Sequence, residues 1–308
     1  MKEQIKSVLI TGANAGLGKE AARLFAQESS IHTIYLACRN LQKGKQAKAE
    51  LEQLTGEKKF TLVQMDVASL ASVKEAVLNL PESIDALVMN AGGFGDKNAS
   101  ELTEDGVTQI FAVNVLGHAA LLDSLIEQDK LNKVAVFVSS EIARGSEALK
   151  APAPSFSSHS VDEFTQIATG DYFSKWDPMQ VYGYVKYTGT LWMSHMQKKF
   201  PGLRFASVSP GSTSGTNAAD NFPLPMKIMF KYIMFPLILP MRGLAHKVDK
   251  GAKRYVDVVM NPAYNAGRFY GSQKHTLTGK LVNQGEFFPN FHNQAYQENA
   301  YQAVSELI

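Results

Sequence analysis

The chain has 308 residues, 45% of them hydrophobic, and its 31 basic and 29 acidic side chains give a net charge of only +2. This balance excludes a charged tail and gives no indication of nucleic-acid binding. The length and apolar content suit one large domain, and we expect a single domain over residues 1–308. Cys38 is the only cysteine and residues 1–6 leave no room for a signal peptide, so we expect a cytoplasmic protein without disulfides.

The first two predicted elements flank a glycine-rich turn. Residues 7–10 are apolar and predict a buried strand, while residues 19–26 predict a helix. Between them Gly12, Gly16 and Gly18 have the spacing G-x-x-x-G-x-G. Strand, glycine turn and helix in this order indicate a phosphate site, because the helix N-terminus attracts an anion and glycine lets it approach the backbone. Taken alone, the glycines are explained equally well by a tight turn.

The second predicted strand, residues 33–38, ends beside Arg39, which lies 21 residues after the last glycine of the turn. An NAD site commonly has a carboxylate there for the ribose hydroxyls, whereas the 2′-phosphate of NADP requires a cation. No acidic residue occurs at positions 32–49. Arg39 therefore favours NADP(H), and Lys19 and Lys43 are candidates for further positive charge. The alternative is a solvated arginine at the start of a helix.

Three further apolar runs predict strands that end in polar or small residues. These runs, which lie near residues 60–65, 86–89 and 131–138, are followed by Asp66, by Asn90-Ala91-Gly92 and by Ser139-Ser140. Open α/β sheets bind ligands just beyond the carboxyl ends of their strands. We therefore expect these polar residues to lie along one edge of a sheet.

Tyr182 and Lys186 are four residues apart in a predicted helix. This offset puts both side chains on one face, where the ammonium can lower the pKa of the phenol. The pair alone is also explained by a half-buried tyrosine beside a solvated lysine. Tyr184 and Tyr187 do not have the offset to the lysine, and we interpret them as packing or pocket residues.

Taken in order, these motifs resemble the short-chain dehydrogenase/reductase family from the first strand to about Gly211. The Ala37-Cys38-Arg39 segment resembles the retinol dehydrogenase-like and protochlorophyllide reductase-like branches, which use NADP(H). The resemblance implies an α/β fold with a doubly wound parallel sheet, the Rossmann fold. It also implies an oxidoreductase that transfers a hydride between NADP(H) and a carbonyl or alcohol of a lipophilic small molecule.

The resemblance also assigns the site residues. The catalytic tetrad of the family matches Asn114, Ser140, Tyr182 and Lys186, with Ser139 as the rival of Ser140. No metal is implied. The cofactor contacts implied by the family are Gly12, Asn14, Ala15, Gly16, Leu17, Gly18, Arg39, Asp66, Val67, Asn90, Ala91, Gly92, Tyr182, Lys186, Pro210, Gly211 and Thr213.

Two segments depart from the compact members of the family. An insert of 41 residues, 141–181, precedes Tyr182 and is rich in turns and aromatic residues. We expect it to lie beside the active site and to obstruct tetramer formation, which leaves a monomer or homodimer. Residues 222–240 are apolar, but lysines and prolines argue against a membrane-spanning helix. We expect a lid over the substrate there, with core packing or peripheral membrane contact as alternatives.

Some assignments stay open. Members of the family have a threonine shortly after the Pro-Gly turn, and this chain has Gly215 at that position. Thr213 or Thr216 is then left to bond to the cofactor. His118 and His159 are minor acid–base candidates, since the tetrad already supplies a proton path. One alternative function is reduction of a carbon–carbon double bond, as in protochlorophyllide reductase. Another is an NADP(H)-sensing regulatory protein without turnover, although such proteins usually lose the tyrosine or lysine that this chain keeps.

Overall fold

The predicted apolar runs form strands of one eight-stranded sheet in a computed structural model that describes residues 4–214 and 245–308. The strands are β1 (Ser7–Thr11), β2 (Thr33–Cys38), β3 (Phe60–Gln64), β4 (Ile84–Met89), β5 (Leu131–Val138), β6 (Arg204–Val208), β7 (Thr213–Ser214), β8 (His246–Lys247), β9 (Arg268–Gly271) and β10 (Val282–Asn283). The sheet order is β10-β9-β6-β5-β4-β1-β2-β3, and β7 pairs separately with β8. All neighbours in the large sheet are parallel except β10, which runs antiparallel to β9.

Helices cover both faces of this sheet. They are α1 (Gly16–Ala26), α2 (Leu41–Thr55), α3 (Leu70–Leu78), α4 (Gln109–Phe111), α5 (Gly117–Glu127), α6 (Val161–Thr169), α7 (Pro178–Lys199), α8 (Val248–Met260) and α9 (Gln294–Ser305). One buried core includes residues of α3, α5 and α7, and a second core on the other face includes residues of α1, α2 and α8. The sheet is therefore doubly wound, and the predicted Rossmann fold is confirmed.

Local sequence sets where several helices begin. The side chains of Asn40 and Ser69 accept from the backbone amides that open α2 and α3. Helix α7 begins with Pro178 directly after Asp177, whose carboxylate accepts from the Gln180 amide. These caps fix the residues at which the helices begin. The cap at Asp177 thereby sets where Tyr182 lies along α7.

The insert before α7 folds around a cluster of aromatic rings. Phe156 lies at the centre of this cluster, with its ring centroid 4.3–5.9 Å from those of His159, Tyr172, Tyr184 and Tyr187. The last two belong to α7, so the insert packs directly on the helix that carries the tyrosine–lysine pair.

One helical stretch of the described chain, 109–127, is long and apolar enough to cross a membrane by length and composition alone. Its most apolar window is 78% buried within the fold. This stretch combines α4, a π-helical turn and α5, which pack in the core beneath the sheet. It is therefore accounted for as a core helix. The segment 222–240, interpreted from the sequence as a lid, lies outside the described residues.

The start of α5 is a place where only glycine fits. A Cβ at Gly117 would overlap the carbonyl oxygen of Val67, which belongs to the backbone after β3. We predict that Gly117→Ala lowers the free energy of unfolding by about 1–3 kcal/mol, because rigid backbone must move. Urea denaturation measures this change. Gly202→Ala is the control, since no described heavy atom lies within 4 Å of a Cβ there; equal stability of the two variants would contradict this packing.

Candidate active site

The glycine turn after β1 packs the start of α1 closely against the backbone at the end of β1. Gly12 and Gly16 have φ angles of +66° and +53°, which side chains other than glycine rarely adopt. A Cβ on Gly18 would lie 2.5 Å from the carbonyl oxygen of Gly12. Helix α1 has no side-chain cap at Ala15, so its first backbone amides remain available to an anion. Between these glycines lie the half-buried Asn14, Ala15 and Leu17.

Thr11 and Asn90 join the ends of β1 and β4. The Thr11 hydroxyl oxygen accepts from the backbone amides of Asn90 and Ala91, each at 2.9 Å. In return, the Asn90 side-chain amide donates to the Thr11 carbonyl oxygen at 2.8 Å. The sheet order reverses between these two strands, so the crevice that opens between them is the place where doubly wound sheets bind ligands.

Asn114 lies in a five-residue π-helical turn, Ala112–Leu116, between α4 and α5. Its amide group donates to the carbonyl oxygens of Gly93 and Ile110 at 2.9 and 2.8 Å, and its oxygen accepts from the Gly93 amide at 3.0 Å. Turns of this kind are frequent at functional sites. The side chain of Asn114 therefore holds the loop that follows β4 and includes Gly92.

The two serines after β5 face different surroundings. Ser139 is buried, and its hydroxyl lies 2.6 Å from that of Thr190 on α7, so it serves packing. Ser140 is half-buried and makes a side-chain hydrogen bond with Tyr182. The structure thus brings together Ser140 and Tyr182, the serine and tyrosine that the sequence analysis selects.

The Tyr182 phenol is half-buried, and its ring packs on Phe94 with a centroid distance of 4.3 Å. Burial raises the pKa of Tyr182 above its ordinary value; the hydrogen bond with Ser140 opposes this rise and the nearby Glu141 carboxylate adds to it. The phenol is consequently protonated across the neutral range and can act as a proton donor.

Lys186 is only 2% exposed and donates from Nζ to the Val138 carbonyl oxygen at 2.8 Å. Its Nζ atom lies 5.0 Å from the centre of the Phe137 ring and 5.7 Å from that of Tyr182. Burial lowers the pKa of Lys186 to about 7. Burial of the phenol is the largest cause of the pKa shift at Tyr182 and determines its direction.

Arg39 at the end of β2 is an exposed cation beside the glycine turn. Its side chain is 72% exposed, and Nη1 lies 3.7 Å from a carboxylate oxygen of Asp66, which is one-third exposed. A contact this exposed contributes little energy, so the guanidinium is free to reorient. Lys19, in contrast, forms an ion pair with Glu50, which largely neutralises the positive charge expected from it. Val67, next to Asp66, is buried.

The Pro210–Gly211 turn follows β6 at the same edge of the sheet. The Pro210 carbonyl oxygen lies 2.7 Å from Nε2 of His246, and the Thr213 hydroxyl donates to the Gly211 carbonyl oxygen at 3.1 Å. Thr213 is thus engaged in shaping the turn. Its rival Thr216 lies outside the described residues.

Neither minor histidine candidate is placed as an acid–base group. His118 is buried with Nε2 2.9 Å from the Thr11 hydroxyl, and burial lowers its pKa to about 3. His159 stacks on Tyr296 with a centroid distance of 3.7 Å, and its Nε2 lies 3.2 Å from the Tyr187 hydroxyl. Both rings serve packing and hydrogen bonding within the fold.

Sequence reasoning missed three residues at this edge. Phe94 covers the Tyr182 ring, and a buried ion pair joins Glu141 to Arg254 with 3.4 Å between the charged groups. The position of Glu141 directly after the serine pair could have indicated a role near the site, because a charged side chain there lies beside the candidate catalytic serine. Phe94 and Arg254 carry no local signal.

The geometry fits a dinucleotide along this edge. A Cβ placed on Gly16 or Gly93 would meet no described heavy atom within 4 Å, so the backbone at both positions borders open space. The uncapped amides of α1 lie at one end of the crevice, and Tyr182 and Lys186 lie at the other. The amides of α1 can hold a pyrophosphate, and the Lys186 ammonium can donate to a ribose hydroxyl.

Comparisons with known proteins agree with this arrangement. A family model described as short chain dehydrogenase matches residues 6–176. Human retinol dehydrogenase 13 is 34% identical over 128 residues, which are 41% of this chain and 38% of that protein. Protochlorophyllide reductase A of Oryza sativa subsp. japonica is 28% identical over 287 residues, 86% of this chain and 71% of that protein.

The chain spans 34–39% of the length of its relatives named WW domain-containing oxidoreductase and retinol dehydrogenase. Among solved structures, L-sorbose reductase from Gluconobacter frateurii, complexed with NADPH and L-sorbose, matches with a TM-score of 0.63 and 18% identity over 90% of this chain and 98% of that one. That likeness concerns the fold. Since the family model covers more than half of the 308 residues, the chain belongs to the short-chain dehydrogenase/reductase family, with relatives in its retinol dehydrogenase and protochlorophyllide reductase branches.

Proposed function

We propose that the protein is an NADP(H)-dependent oxidoreductase that interconverts a carbonyl and an alcohol of a lipophilic small molecule. The observation that carries this proposal is the half-buried phenol of Tyr182, hydrogen-bonded to Ser140, with the buried Lys186 beside it at the ligand-binding edge of the sheet. A proton donor, a hydrogen-bond donor and a cation at one point are what carbonyl reduction requires.

Each residue has a distinct part in this chemistry. When bound, NADPH supplies the hydride. Tyr182 donates its proton to the carbonyl oxygen, and the Ser140 hydroxyl donates a hydrogen bond to the same oxygen. The Lys186 ammonium stabilises the negative charge left on the phenol, and Asn114 holds the loop beside it and, as in the family, binds a water that leads to solvent. In the reverse direction Tyr182 accepts the proton of an alcohol.

The preference for NADP(H) rests on Arg39. Its exposed guanidinium at the end of β2 suits a 2′-phosphate, and no acidic residue occupies the end of that strand. Solved relatives include an L-sorbose reductase and a chicken carbonyl reductase whose structures hold NADPH, which supports the same choice here.

The substrate is proposed to be apolar and bulky. A cavity of about 430 Å³ opens next to the turn that follows Ser140, between residues 144–153, residues 274–276 and Phe288. Its wall combines three alanines, Pro152 and Phe288 with the side chains of Arg144, Glu147, Lys150, Lys274 and His275, and neither Ser140 nor Tyr182 lines it. The apolar character of the substrate is therefore proposed from the relatives and not from this cavity. The relatives named for retinol and for protochlorophyllide, both largely apolar molecules, favour the same class of substrate.

We further propose a monomer or homodimer that acts in the cytoplasm. The insert cluster and α9 both pack on α7, so little of this helix remains for pairing with another subunit. The single cysteine, Cys38, is buried and suits a reducing compartment.

A second candidate is reduction of a carbon–carbon double bond. The relatives named protochlorophyllide reductase align with 86% and 92% of this chain, a longer match than the retinol dehydrogenases give. Light-dependent turnover of a porphyrin substrate with NADPH would establish this function, and turnover of simple carbonyl compounds in the dark would favour the first.

The role of Tyr182 is tested by removing its hydroxyl. We predict that Tyr182→Phe lowers kcat about 10²–10⁴-fold while NADPH affinity stays nearly unchanged, because only the proton donor is lost. Tyr184→Phe is the matched control, since that hydroxyl is bonded to the Ser155 backbone at 2.9 Å and should leave kcat unaffected. Retention of more than a tenth of wild-type kcat by Tyr182→Phe would refute the assigned chemistry.

Cofactor choice is tested at Arg39. We predict that wild type binds NADPH more tightly than NADH and that Arg39→Asp reverses this order, because a charge-assisted contact becomes a repulsion. Fluorescence titration of both cofactors measures the change. Lys45→Asp, with the same charge change at an exposed position on α2, should keep the wild-type order. Equal affinity of wild type for both cofactors would overturn the proposal.

The pH dependence of reduction should report Lys186. Its pKa of about 7 means that the ammonium is lost as pH rises through neutrality, whereas Tyr182 stays protonated. We therefore predict that kcat/KM for carbonyl reduction falls above about pH 7, by up to about tenfold per pH unit. The Lys186→Arg side chain stays charged over this pH range, so the fall in kcat/KM above pH 7 should be absent in this variant even if its activity is low. A profile that is flat from pH 6 to 9 would contradict the assignment.

A further inference from the structure

A buried carboxylate follows the serine of the candidate site. Glu141 is 4% exposed and lies next to Ser140 in the chain, yet its side chain turns toward other loops. Its Oε1 atom accepts from the amide and hydroxyl of Ser272 at 3.0 and 2.9 Å and from Nη1 of Arg254 at 3.4 Å. Its Oε2 atom accepts from the hydroxyl of Ser209. Both carboxylate oxygens are thus fully engaged.

Ser209 extends this contact to the turn that follows β6. Its hydroxyl donates to Glu141 and accepts from the amide of Gly211 at 3.1 Å. Pro210 and Gly211 form the turn to which the family resemblance assigns cofactor contacts. An unbroken series of bonds therefore joins the residue after Ser140 to this turn.

The location of the partners argues against a purely stabilising ion pair. Buried ion pairs are often no more stable than apolar residues of similar volume, so stability alone gives no reason for this one. Arg254 is 5% exposed and also donates to the carbonyl oxygens of Ser209 and Gly279, at 3.0 and 2.9 Å. Ser209 follows β6 and Ser272 follows β9, both at the ligand-binding edge. The whole network connects loops at that edge.

We infer that Glu141 is a positioning residue that fixes the separation between Ser140 and the Pro210–Gly211 turn through the Ser209 hydroxyl. The inference rests on the proposed function, in which the cofactor turn and the proton-donating side chains must act on one carbonyl group. Displacements of about 1 Å can cost about 10²-fold in rate, so a rigid link between these two parts has a direct effect on kcat.

Ser209→Ala tests the link with the smallest change, because it removes the bridging hydroxyl and leaves the Glu141–Arg254 pair in place. Ser207→Ala is the matched control: Ser207 lies two residues earlier, in β6, and its buried hydroxyl has no hydrogen-bond partner among the described residues. We expect Ser209→Ala to lower kcat about 10²-fold with unchanged substrate KM. Ser207→Ala should match wild type.

Amide hydrogen exchange in the protein without cofactor gives a readout independent of activity. The Gly211 amide should exchange faster in Ser209→Ala than in wild type or Ser207→Ala, because its acceptor is gone. Unchanged exchange at Gly211 would overturn the inference, as would faster exchange with wild-type kcat. If wild type itself reduces no carbonyl compound, the proposed function fails, while the exchange result still decides whether the link exists.

Glu141→Gln tests the carboxylate itself. The three donors at Oε1 favour the glutamine oxygen there, so its amino group faces Ser209 and can no longer accept from that hydroxyl. We therefore expect kcat to fall as in Ser209→Ala, and the double variant to lose no more than either single variant, since both remove the same bond. Asp85→Asn is the control for loss of a buried, ion-paired carboxylate: Asp85 is 6% exposed, pairs with Lys133 at 3.2 Å and lies at the opposite edge of the sheet. It should lower thermal stability without lowering kcat. Losses that multiply in the double variant, or an equal kcat loss in Asp85→Asn, would contradict a positioning role.

Discussion

The hydrogen bonds between Thr11 and the backbone after β4 are the constraint on which the candidate site depends. Strands β1 and β4 pair along the sheet, but beyond their ends the chain turns away in opposite directions and no ladder bonds can continue. The Thr11 hydroxyl and the Asn90 side chain replace them. This fixes the close approach of Gly18 to Gly12, and with it the direction in which the first amides of α1 point.

A second set of hydrogen bonds fixes the backbone on the other side of the crevice. The loop after β4 is held at Gly93 by Asn114, and this loop lies close to Lys186, whose ammonium is anchored on β5 through Val138. Burying a lysine lowers its pKa, so the packing that places the side chain also sets the pH range in which it is charged. Geometry and protonation of the site therefore have the same physical origin.

The sequence was sufficient wherever the signal is local. Glycine spacing, apolar runs that end in polar residues and the four-residue offset from Tyr182 to Lys186 each depend on neighbours in the chain, and they predicted strands, a glycine turn and a helix that the structure contains. The fold and the choice of Ser140 as the partner of Tyr182 came from the resemblance to the family. Contacts between distant segments could not be predicted in this way. Glu141 and Arg254 are 113 residues apart, and the balance of burial against charge at Tyr182 depends on how several elements pack together.

We propose that this edge of the sheet reduces carbonyl groups with NADPH, and loss of NADPH absorbance during incubation with aldehydes, ketones and quinones tests this most directly. We predict oxidation of NADPH, with formation of the matching alcohol or hydroquinone, by wild type and not by Tyr182→Phe. Tight binding of NADPH with no turnover of any of these classes, and no difference between wild type and Tyr182→Phe, would contradict it and would indicate a protein that binds the cofactor without catalysis.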